Sequence, residues 1–92
     1  MIHTFLRLGL VSAVIVVVSA CAQPEQSAEC ARYLACVRAI DAQEAVTTDA
    51  KRFEADGACW GGPEGAALCT RACAGGLSYL QKAYSDLPEA CR

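Results

Sequence analysis

The sequence predicts an all-α fold, a small disulfide-stapled antiparallel helical hairpin with a short third helix, and three observations predict it. Apolar residues recur at steps of three and four through two long segments, about 28–45 and 63–85. Each segment opens on a helix-start signal, Ser27 before the first and Pro63 at the head of the second. Six cysteines (Cys30, Cys36, Cys59, Cys69, Cys73 and Cys91) fall within residues 28–92. A domain this short buries only about 60% of its unfolded surface and usually needs such staples.

The chain begins with the three zones of an export signal in residues 1–20. Arg7 supplies the one fixed positive charge, residues 8–18 are predominantly apolar, and small residues follow. Val18-Ser19-Ala20-Cys21 then places an aliphatic residue three before a cysteine with small residues between. This order resembles the lipobox of bacterial lipoproteins. The resemblance implies that residues 1–20 are removed and that the Cys21 thiol takes a diacylglyceryl thioether. The new amino group is often acylated too, and two or three acyl chains hold a protein stably on a bilayer where one would not. Plain secretion with cleavage after Ala20, and an uncleaved anchor interrupted by Gly9, Ser12, Ser19 and Pro24, are the other readings of this stretch. Ala22, where aspartate would signal retention in the enteric sorting rule, favours the outer membrane.

Residues 21–27 read as a lipidated tether, polar and containing Pro24, that keeps the domain within roughly 20 Å of the membrane at about 3.3 Å per residue. In the first helix Cys30, Tyr33, Leu34, Cys36, Val37 and Ile40 share one face, with Arg32, Ala35, Arg38 and Ala39 outside it. Cys30 and Cys36 lie at opposite edges of that stripe and so look to different partners. Thr47-Thr48-Asp49 offers a second cap, which predicts a short helix over 49–55 with Phe53 inward and Gly57 as a left-handed stop. A loop at 57–62 leads into the second helix, where Cys69, Cys73, Leu77, Leu80, Tyr84 and Leu87 form an unbroken stripe. Gly75-Gly76 interrupts good helix formers, so either the helix bends or another backbone approaches. Leu87-Pro88 ends the element, and Cys91 pins the tail.

With Cys21 taken by lipid, the remaining six cysteines make an even set, as expected of an exported disulfide framework. An antiparallel register places Cys30 near Cys91, Cys36 near Cys73 and Cys59 near Cys69. The rival pattern joins Cys30 to Cys73, Cys36 to Cys69 and Cys59 to Cys91. A zinc site is disfavoured: there is no C-x2-C pair, and the only histidine is His3 in the leader.

Cys30-Ala31-Arg32-Tyr33-Leu34-Ala35-Cys36, Gly57-Ala58-Cys59-Trp60, Cys69-Thr70-Arg71-Ala72-Cys73 and Pro88-Glu89-Ala90-Cys91 together resemble the alanine- and cysteine-rich lipoproteins of myxobacteria and their relatives. That resemblance implies a compact helical domain in the cell envelope and no particular activity. Cys69-x3-Cys73 also resembles half of the twin motif of small mitochondrial intermembrane-space proteins. The x5 spacing of Cys30 and Cys36 departs from that motif and leaves only a shared way of stapling helices.

Little in residues 21–92 suggests catalysis. They contain no histidine, no G-x-S-x-G, no phosphate loop and no dinucleotide fingerprint. Seven basic residues stand against ten acidic ones, a net charge of −3 once the N-terminus is acylated, with no basic cluster for nucleic acid. No cofactor and no enzymatic activity are therefore expected. The expected partners are the membrane, through Cys21, and either an envelope protein or a small apolar ligand seated under Gly75-Gly76. Trp60, between Cys59 and two glycines, is expected over a disulfide, with an exposed partner contact as its other reading.

Overall fold

A computed structural model describes residues 23–92, so the leader at 1–20 and the lipidation site at Cys21 lie outside the described residues. Two α-helices carry the fold, α1 (Ala28–Glu44) and α2 (Pro63–Ala83), with single 3-10 turns at Lys51–Phe53, Ala58–Gly61 and Glu89–Cys91. No strand occurs among the described residues.

Helix α1 starts where its cap predicts. Ser27 is extended (φ −73°, ψ 155°), and its hydroxyl accepts the Cys30 N–H at 3.3 Å, with Glu29 in the positive first turn. The helix stops at Ala45, which adopts the left-handed conformation (φ 56°, ψ 42°) and donates its N–H to the Asp41 carbonyl. It is the one non-glycine residue with positive φ among those described. The Asp41 carboxylate then fixes the reversal, accepting both the N–H and the hydroxyl of Thr48 at 2.7 Å. Pro63 opens α2 in its first turn, and the helix runs through Gly75 and Gly76 without interruption.

The helices are parallel, not the antiparallel hairpin the sequence suggested. Cys30 bonds to Cys73, the Tyr33 ring lies over Gly76, and Ile40 packs in one cluster with Leu77, Leu80 and Tyr84. Residue numbers therefore rise together along both helices. The connection at 45–62 supplies the return. Thr48 holds Asp41, Glu54 pairs with Arg38, Phe53 stacks edge-on against Tyr33, and the Phe53 carbonyl accepts from Gln26. From Thr48 to Phe53 the connection descends α1 toward its start, so α2 begins beside the same end as α1. Helices joined by short loops become antiparallel neighbours; a connection this long permits the other arrangement.

The short third helix over 49–55 is also corrected. That stretch holds one 3-10 turn, Lys51–Phe53, with the Asp49 carboxylate accepting the Lys51 N–H at 3.4 Å. Two helical turns are too few to survive alone, and here the backbone serves tertiary bonds to Gln26 and Trp60 instead. Nor is Gly57 a left-handed stop: its φ is −78°. A Cβ there would sit 2.3 Å from the Arg52 carbonyl oxygen, so close backbone approach is what requires glycine.

Parallel packing exchanges the partners of two sulfurs. The bonds are Cys30–Cys73, Cys36–Cys91 and Cys59–Cys69. The expected Cys59–Cys69 bond is present, while Cys30–Cys91 and Cys36–Cys73 are replaced. The rival pattern holds only its Cys30–Cys73 bond. Cys30 lies level with Cys73 in the parallel register, and the tail after α2 folds back to reach Cys36. Gln81 donates to the Cys91 carbonyl at 2.7 Å, and the Arg92 guanidinium to that of Leu87 at 3.0 Å, which hold the returning tail in place. Cys30 and Cys36 do look to different partners, as their opposite edges of the stripe require.

The core is two small clusters bridged by Tyr33. One joins Cys30, Cys59, Trp60 and Cys73, with Phe53, Ala66 and Cys69 against them. The other joins Cys36, Ile40, Leu77 and Cys91, with Leu80, Tyr84 and Leu87. The largest fully buried side chains are Cys30, Cys36, Cys73 and Cys91, so cystine sulfur does much of the filling that leucine does in larger domains.

Candidate functional site

The sequence nominates three places: the junction at Cys21, the indole of Trp60, and the space under Gly75-Gly76. The described residues begin just after the first. Gln23 and Glu25 are exposed, but Gln26 donates its side-chain amide to the Phe53 carbonyl at 2.8 Å and Ser27 caps α1. Of the described residues of the 21–27 stretch, Gln26 and Ser27 are therefore fastened to the domain, and residues 23–25 precede them. Gln26 was not legible as an anchor, because a glutamine in a polar stretch gives no local sign that it will find a carbonyl twenty-seven residues on.

Trp60 is 4% exposed, in the cluster formed around the Cys30–Cys73 bond. Its indole N–H donates to the Glu54 carbonyl at 2.8 Å, which satisfies the polar edge of a buried ring. The ring packs with the disulfides, and the exposed partner contact is corrected: no free face of this side chain remains to anchor anything.

Under Gly76 the space is taken by a side chain. A Cβ on Gly76 would come within 2.7 Å of the Tyr33 ring, so that ring fills the ground where an apolar ligand was expected. A concavity of about 430 Å³ lies elsewhere, between α1 and the returning connection. Leu34 and Val37 form its floor, while Arg38, Asp41, Lys51 and Glu54 line its rim. The Arg38–Glu54 ion pair at 2.7 Å crosses that rim with both side chains well exposed, so it adds at most about 1 kcal/mol. The rim is polar and the hollow open, which suits water better than an acyl chain.

Six sulfurs are closed in three bonds and are not free thiols. Among the described residues no group of three or more His, Cys, Asp or Glu stands together as a metal site, and no charged or polar side chain is buried. No helix among them is long and apolar enough to cross a membrane.

What the sequence did not single out is the outer face of α2, where Leu68 and Tyr79 are 59% and 69% exposed. Tyr79 is the exposed one of the three tyrosines, Tyr33 and Tyr84 being partly buried. A stripe count could have found it, since position 79 lies off the line of Cys69, Cys73, Leu77, Leu80 and Tyr84. The chain matches no protein-family model, and neither a curated protein nor a solved structure is significantly similar to it.

Proposed function

We propose that this chain is a lipid-anchored bacterial envelope protein with a structural or protein-interaction role and no enzymatic activity. The observation that carries the reading is the sulfur count. Cys30, Cys36, Cys59, Cys69, Cys73 and Cys91 close among themselves, which leaves none of them to pair with Cys21. A thiol with no partner in its own chain, placed at the end of a leader-like apolar stretch, suits thioether formation. The cystine-filled core supports the reading in a second way, because such bonds persist outside the cytoplasm and not inside it.

In that setting the domain is a compact helical knob standing on a tether of about five residues. Its surface, not a pocket, is what it presents to the envelope. Ala22 favours the outer membrane if the enteric sorting rule governs the host cell.

Metabolic labelling with an alkyne-tagged fatty acid tests this. The native chain should carry the label and fractionate with membranes, and Cys21→Ser should lose both label and membrane association. A label that survives Cys21→Ser, or a native chain that is soluble and unlabelled, would overturn the anchoring. Recovery of a specific turnover with the purified protein would overturn the non-enzymatic role.

A further inference from the structure

We propose that the outer face of α2 pairs with the same face of a second copy of this chain, the two helices antiparallel. Three observations on that face carry the proposal. First, Gly75 has no internal reason to be glycine. Gly76 is explained by the Tyr33 ring, but a Cβ on Gly75 would meet nothing within 4 Å. A glycine in a helix interior costs about 1 kcal/mol relative to alanine, and this chain gains nothing from it alone. A second backbone crossing closely at that point supplies the missing reason.

Second, two of the three exposed large apolar residues among those described stand on the same stripe. Leu68, Ala72, Gly75 and Tyr79 follow one another by four, three and four, and all four are exposed. The stripe lies opposite the side on which Cys73 and Leu77 are buried. Neither the 3-10 turns nor the tail covers it.

Third, the two charges at the ends of this face fit their own two-fold image, with Arg71 at the edge of the face between them. Glu64 lies at its start and Lys82 at its end, both exposed. About a two-fold axis near residues 73 and 74, Glu64 of one copy meets Lys82 of the other. The same axis sets Leu68 against Tyr79, and Ala72 against Gly75 where the helices cross. One operation thus aligns the end charges, the apolar pair and the small residues together, as a self-complementary interface requires. A parallel pairing would instead set Glu64 against Glu64 and Lys82 against Lys82. The contact uses no residue of the leader or tether, so it stands or falls independently of the anchoring proposed above.

The test uses the full-length protein in its own membrane and purified in detergent. A benzophenone side chain introduced at position 79 should, on irradiation of cells, give a species of twice the chain mass with its adduct near Leu68. In the purified protein, Glu64→Lys and Lys82→Glu should each weaken self-association about fivefold, since each change sets like charges at two symmetry-related places. The double variant E64K/K82E should restore it. Gly75→Leu should weaken association at least tenfold without lowering the melting temperature, because the position is open in the single chain. A protein that stays monomeric at high micromolar concentration would overturn the proposal. So would a position-79 adduct formed only with a different protein, or a double variant no better than either single one.

Discussion

Two backbone positions of the return connection show how narrowly single residues decide this fold. Gly57 stands where any side chain would strike the Arg52 and Lys51 carbonyl oxygens, at 2.3 and 2.5 Å from an added Cβ. Both are backbone atoms and cannot swing aside. Gly57→Ala should therefore cost about 2–3 kcal/mol, read as a fall in the denaturant midpoint at constant m-value. Ala45 is the opposite case. It holds a left-handed conformation that costs an alanine about 1–2 kcal/mol and a glycine far less. Ala45→Gly should stabilise the protein by about 1 kcal/mol in the same assay. Of these two features the sequence showed one by residue type and the other not at all. Gly57 was visible as a special position but for the wrong reason, and an alanine gives no sign that it will end a helix in the left-handed region.

At the scale of elements, the sequence read well where local pattern rules and poorly where distant backbone groups do. The buried stripe of α1, its Ser27 cap, the opening of α2 at Pro63 and the inward face of Cys69, Cys73 and Leu77 follow from periodicity and capping. The relative direction of the helices does not. It is set by Gln26 on Phe53, Trp60 on Glu54 and Asp41 on Thr48, contacts that join carbonyls and side chains with no periodic signature. A length clue was present: residues 45–62 are too many for a tight antiparallel turn. The disulfides should reflect this topology in their energetics. The Cys36–Cys91 bond closes a separation of 55 residues and the Cys59–Cys69 bond one of 10. Chain entropy then assigns about 4 kcal/mol to the first and about 3 kcal/mol to the second. Replacing Cys36 and Cys91 together by serine should destabilise more than replacing Cys59 and Cys69. Hydrogen exchange should show the loss first in the tail and the C-terminal half of α2.

Across the whole molecule, stability and location draw on the same seven sulfurs. Six are closed inside the domain, and four of these, in Cys30, Cys36, Cys73 and Cys91, belong to its largest fully buried side chains. The seventh, Cys21, is proposed for the membrane. The indole is buried and the hollow beside α1 is open and polar, and the surface proposed for contact is the outer face of α2. The most direct test is mass spectrometry of unreduced tryptic peptides from the native protein, because the cleavage sites separate the cysteines. The account predicts peptide 21–32 linked to 72–82, peptide 33–38 linked to 83–92, and an internal bridge in 53–71. Since Cys21 and Cys30 share a peptide, the first linked species should also carry the acyl mass. Peptide 21–32 joined to 83–92, 33–38 joined to 72–82, or a first species without fatty acid would contradict it.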